Sequence, residues 1–157
     1  MSEKILIVEE DGAARKDLTA MLEKEGYDVK SMANGQVALD CIESDYIDVV
    51  LIAVSLPDRS GIKVLQKAGK ISPDTKFIFL AEHGTMEHVI EAIRYQVHDY
   101  ILKPFDTQEI LSSVAGALAL RNKEKRKRIL IEQFENTLQQ LKDLEGITGA
   151  PKAVTTH

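Results

Sequence analysis

The runs KILIVEE, DVVLIA and KFIFLA place apolar residues side by side rather than alternately: Ile5 to Val8, Val49 to Ala53 and Phe77 to Ala81. Alternation marks a strand with one face in water, whereas a short unbroken apolar run bounded by turn signals fits a strand covered on both faces. Both faces can be covered only if something is laid over each side of the sheet, and the intervening segments have helical spacing. DGAARKDLTAMLEKEG carries Ala14, Leu18, Met21 and Leu22 on one face and stops at Gly26. Val37, Ala38, Cys41 and Ile42 line a second helix; SGIKVLQKAG offers Ser60 as N-cap, Ile62 and Leu65 as buried face and Gly69 as stop. TMEHVIEAIRYQV gathers Met86, Val89, Ile90, Ile93 and Val97 on one side. YDVKSMANG and DYIL supply two shorter strands, and a fifth helix opens at DTQEI, where Asp106 or Thr107 can cap and Glu109 can bond back. Five strands alternating with five helices through short loops predict an α/β fold, a doubly wound five-stranded parallel sheet with helices on both faces. In such a sheet functional groups gather beyond the carboxyl ends of the strands, where strand order reverses.

Composition narrows the function classes. The chain has 157 residues, 44% hydrophobic and 29% charged, enough for one domain and a modest extension. No stretch approaches the ~18 apolar residues of a membrane span, and MSEKILIVEEDG lacks a signal-peptide core, so a cytoplasmic protein without membrane contact is expected. The net charge of -5 argues against a mainly nucleic-acid-binding surface. Cys41 is the single cysteine and reads as a small buried apolar residue. His83, His88, His98 and His157 lack metal-ligand spacing and read as solvated side chains, so no zinc site is expected.

The strand ends carry Glu9 and Glu10 after the first strand, Ala53 after the third, Ala81 after the fourth, and Lys103 with Pro104 after the fifth. Paired acids, an acidic nucleophile, a hydroxyl and a lysine at such positions would form a divalent-metal and phosphoryl-transfer pocket. ILIVEED, DVVLIAVSLPDRSG, FIFLAEHG and HDYILKPFD, in this order and spacing, resemble the chemotaxis-type receiver domain of two-component response regulators across about residues 4 to 118. The resemblance implies a flavodoxin-like strand order 2-1-3-4-5. It also implies a phosphoacceptor aspartate four residues before Pro57, a switch hydroxyl at the end of strand four, a switch aromatic at Tyr100 and a cis peptide bond before Pro104. Here the acceptor position is Ala53 and the switch hydroxyl position is Ala81. A methyl group cannot form an acyl phosphate, so phosphorylation at position 53 is excluded and no enzyme activity is expected. The second acid is Glu10 where the family usually has aspartate; it is the one candidate metal ligand, reaching from a shifted position, and no cofactor is expected, magnesium being doubtful. Losing a carboxylate relieves like-charge repulsion and frees Lys103 to pair with Glu9 or Glu10. Asp58 and Ser55, in the loop after strand three, read as ordinary turn residues rather than substitute acceptors.

From Thr107 the helical pattern runs on to about Gly146, with Gly116 as its interruption, giving about 60 Å of helix, part of which must project from a small domain. Ile131, Phe134, Leu138 and Leu141 follow coiled-coil spacing, and the register extends back to Leu120, Ala117 and Ile110. We therefore expect a receiver domain over 1–120, an extended helix and coiled-coil dimerisation segment over 121–146, and a flexible tail over 147–157 that frays or begins a linker. RNKEKRKR, residues 121 to 128, has six basic residues in eight and reads as a solvated or acid-pairing face more than a DNA contact. Expected partners are a second copy and a sensor kinase or effector protein. Three readings stand: a pseudo-receiver that signals without phosphate through dimerisation and protein contacts; an ordinary phosphorelay receiver whose acceptor aspartate was engineered to alanine; and a DNA-associated transcriptional regulator. Three departures at separate strand ends favour the first.

Overall fold

Ten elements alternate in a computed structural model that describes residues 2–146. They are β1 (Lys4–Val8), α1 (Gly12–Lys24), β2 (Asp28–Met32), α2 (Gly35–Ser44), β3 (Val49–Ala53), α3 (Gly61–Ile71), β4 (Lys76–Ala81), α4 (Met86–Arg94), β5 (Asp99–Leu102) and α5 (Thr107–Glu145). The strands form one parallel sheet in the order β2-β1-β3-β4-β5. The expected flavodoxin-like doubly wound fold with a long C-terminal helix is therefore the observed one. The chain divides into two units, one ending at Arg121 and the other beginning at Asn122. The tail expected over 147–157 lies outside the described residues. Among the described residues no helix is long and apolar enough to cross a membrane.

The continuous apolar runs are buried on both sides. Leu6, Val8, Val50, Ile52 and Phe79 face one core layer with Ala38, Leu39 and Val64, while Ile5, Ile7, Val49, Leu51 and Ile78 face the other with Leu18, Leu22, Ile110 and Val114. Each fully buried aliphatic side chain contributes roughly 2 kcal/mol by removal from water.

Side-chain caps open the helices: Asp11 accepts from the Ala13 amide, Asn34 from Val37, Ser60 from Lys63 and Thr85 from His88. Asp106 accepts from the Gln108 amide at the start of α5. Several sequence expectations change. α3 continues past Gly69 to Ile71 and ends where Pro73 follows Ser72, because proline restricts the residue before it. α5 passes through Gly116 without a break. Val37 is exposed, and Leu39 takes its place against the sheet. α4 buries Ala92 but leaves Met86, Ile90 and Ile93 exposed, the reverse of a core-facing stripe.

Candidate functional site

The carboxyl ends of β1, β3, β4 and β5 enclose a cavity of about 450 Å³ whose lining includes Glu9, Glu10, Ala53, Ala81, His88 and Lys103. Glu9 follows β1 directly and is buried, its amide donating to the Met32 carbonyl at 3.0 Å. Its carboxylate forms an ion pair with the Lys103 ammonium through Oε1 and accepts the Asp11 amide at 3.1 Å through Oε2. Arg15 reaches back from α1 and donates to the carbonyl oxygens of Glu9 at 2.6 Å and Glu10 at 3.2 Å. The backbone of the acidic turn is thereby fixed. Of the two partners foreseen for Lys103, Glu9 is the one that it meets, and Glu10 is exposed at the rim.

Ala53 ends β3, 5% exposed, with its methyl group lining the cavity. The chain then turns tightly. The Gly61 amide donates to the Val54 carbonyl at 2.7 Å, the Leu56 amide donates to the Arg59 carbonyl at 3.2 Å, and a Cβ at Gly61 would collide with the Ala53 carbonyl oxygen. Glycine is required there by close approach. Asp58, at the tip of this loop, does not face the cavity as an acceptor. Its carboxylate takes the Gly35 and Gln36 amides at 2.8 and 2.9 Å and lies 3.3 Å from the Arg59 guanidinium. The Gly35 amide, with those of Gln36 and the nearby guanidinium, holds the carboxyl below its usual range. Asp58 thus caps α2 from a distance, a role that sequence spacing does not reveal because 23 residues separate the partners.

Ala81 ends β4, 5% exposed, and its carbonyl accepts the Lys103 amide at 2.8 Å. Lys103, following β5, lies 3.9 Å from Glu82 and 6.0 Å from the centre of the Phe105 ring; its peptide bond to Pro104 is cis. The Tyr100 ring packs edge-on against Phe79, with centroids 6.5 Å apart, and its hydroxyl donates to the His83 carbonyl at 3.4 Å. Burial pushes the Tyr100 phenol up from its ordinary value. His83 and His88, read from sequence as surface residues, both line the cavity, and among the described residues no three His, Cys, Asp or Glu side chains group as a metal site. A magnesium ion needs several oxygen donors in a near-octahedral shell. Glu9 is already engaged by Lys103 and the Asp11 amide, Asp11 caps α1, Glu82 lies beside Lys103 and position 53 offers no carboxylate, so that only Glu10 has no such engagement and the residues present do not fit that ion.

At the other end of the sheet, Arg121 donates to the Tyr46 hydroxyl at 2.8 Å, meets Asp48 at 3.0 Å and stacks 4.9 Å from the Tyr46 ring centre. Asp48 also accepts the Lys4 amide at 2.8 Å. Arg121 counts in the basic run by sequence, yet it ties α5 to the sheet, a pairing that composition cannot signal.

Residues 5–115 match the response regulator receiver domain. The chain belongs to this family. It is 32% identical over 122 residues to sporulation initiation phosphotransferase F of Bacillus subtilis, a match covering 78% of this chain and 98% of that protein. It is also 30% identical over 136 residues to the regulatory protein AtoC of Escherichia coli, covering 87% of this chain but only 30% of that longer relative. A solved CheY-like receiver domain from Methanospirillum hungatei superposes with a TM-score of 0.77 at 30% identity, covering 79% of this chain and 99% of that one. The receiver described here is thus a module of two-component signalling with alanine at two of the strand ends that line its pocket.

Proposed function

We propose that this receiver works without phosphate at position 53 and acts by protein contacts, pairing with a second copy through the C-terminal part of α5 and presenting its receiver unit to a kinase or effector. The observation that carries the reading is the buried Ala53 methyl at the tip of β3, beside a Lys103 already paired with Glu9. No oxygen nucleophile stands where the covalent intermediate would form, and the lysine that would meet an incoming phosphoryl group is held by a protein carboxylate instead. Ala81 removes the hydroxyl by which a bound phosphoryl group would be felt at β4.

Self-association is supported by Ile131, Phe134, Leu138 and Leu141, 42% to 70% exposed and spaced as a coiled-coil seam. In the same register Ile110 and Ala117 are buried in the receiver core, so the sheet covers the first part of the stripe, and a partner helix is the cover proposed for the rest. Sedimentation velocity tests this: the unaltered chain sediments as a dimer, and Ile131→Asp with Leu138→Asp yields monomers whose receiver unit remains folded. A monomeric unaltered chain at tens of micromolar, an order-of-magnitude working range for moderate affinity, removes the dimer from the account.

A further inference from the structure

The segment after Arg121 carries a charge order and an apolar register that select one way for two copies to lie together; this rests on the self-association proposed above. Ile131 and Leu138 occupy a positions of the heptad and Phe134 and Leu141 occupy d positions. The same register puts Lys127 at d before the apolar layers and Glu145 at a after them. Charge is sorted along the helix in the same sense. Lys123, Lys125, Arg126, Lys127 and Arg128 lie before the apolar seam with Glu124 as the one acid among them, whereas Glu132, Glu135, Asp143 and Glu145 lie within and after it with Lys142 as the one base, so the first stretch is net positive and the second net negative.

In a parallel pair every layer meets itself. Lys127 would face Lys127 and Glu145 would face Glu145, with the basic stretches side by side, and like charges directly opposed in this way are destabilising. In an antiparallel pair a layers meet d layers. Setting Phe134 against the partner copy's Leu138 sets Ile131 against Leu141, and the next layer at each end joins Lys127 of one copy to Glu145 of the other. One alignment therefore covers all four apolar residues and pairs opposite charges at both ends. The flanking g positions agree: Leu130 and Leu144, both exposed, come alongside each other between antiparallel copies, whereas in a parallel pair Leu130 would lie beside Glu135. The e flank brings Glu135 near Glu135 of the other copy and Arg128 near Lys142 of the other copy, like charges that oppose the pairing, but at an edge open to water where such contacts weigh little.

We propose that two copies of this chain pair through residues 127–145 as antiparallel helices, in the register Ile131–Leu141, Phe134–Leu138 and Lys127–Glu145. The partner is a second copy, recognised by its opposite charge order.

Cysteine cross-linking in the full chain, with Cys41→Ser as background, reads the orientation directly. Chains carrying Ile131→Cys are mixed with chains carrying Leu141→Cys and oxidised. The antiparallel register predicts disulfides between the two kinds of chain and none within either kind alone, because equivalent positions ten residues apart along the helix are about 15 Å from each other, beyond disulfide reach. Cross-links within each kind alone, or none in any combination from a chain that sediments as a dimer, overturn the register while leaving self-association intact. A chain that sediments as a monomer overturns both. Charge reversal gives an independent readout: Lys127→Glu and Glu145→Lys each weaken the dimer by about tenfold, and the two together restore it to within about twofold. Absence of that restoration contradicts the pairing of Lys127 with Glu145.

Discussion

Glu9 is buried because β1 delivers it into the sheet end, and Lys103 is the cation that meets it there. Removing one partner of such a pair strands the other charge in a place with little water, whereas removing both does not. Lys103→Ala is therefore expected to lower the unfolding free energy by about 2 kcal/mol in urea denaturation, and the double change Glu9→Leu with Lys103→Met to recover most of that loss. Equal losses in the single and double variants would mean that the pair contributes packing rather than charge. Gly61 gives a sharper steric case. A methyl group there meets the Ala53 carbonyl, part of the backbone and unable to move aside, so Gly61→Ala is expected to destabilise by about 2 kcal/mol; an unchanged urea midpoint would contradict that geometry. At this scale the sequence was informative about identity but not about pairing. Ala53, Ala81, Glu9 and Lys103 were all legible as strand-end residues. That Lys103 takes Glu9 and leaves Glu10 at the rim depends on side-chain directions that no spacing rule supplies.

Helix α2 begins on two caps, its own Asn34 and the distant Asp58. Because Asp58 is held below the ordinary carboxyl value of 3.8, the unfolded chain binds a proton there more readily than the folded one. The contribution is full above that ordinary value and is lost as pH falls through the lower folded value. Asp58→Ala should cost about 1 kcal/mol at neutral pH, and its gap to the unaltered protein should close only below about pH 4. A gap independent of pH in chemical denaturation would remove the carboxylate from the cap. The elements themselves were largely legible, since β1, β3 and β4 are continuous apolar runs that only a twice-covered strand explains. α4 shows where periodicity stops: Met86, Ile90 and Ile93 form a stripe by spacing, but spacing does not say what covers it, and the receiver unit leaves these residues exposed. Gly69 was misleading for a related reason, since an exposed glycine inside a helix costs about 1 kcal/mol, too little to end a helix that packs through Val64, Leu65 and Ala68.

Across the whole molecule, strand order 2-1-3-4-5 brings the ends of β1 and β3 together at the reversal of the sheet, with β4 and β5 beside them, so four distant segments form one pocket. The pocket's location was legible because the alternation of elements determines it; its closure by Glu9 and Lys103 was legible only as one of two options. The helix beyond the receiver was readable as a long pattern, and its charge order gained meaning once the exposed faces were known. A receiver that signals by contact keeps the same association state whether or not phosphodonor is supplied. The most direct test is intact-mass measurement of the purified chain after incubation with acetyl phosphate and magnesium. A receiver without an acceptor at position 53 keeps an unchanged mass, and the addition of a phosphoryl group carried as an acyl phosphate within the pocket would contradict that.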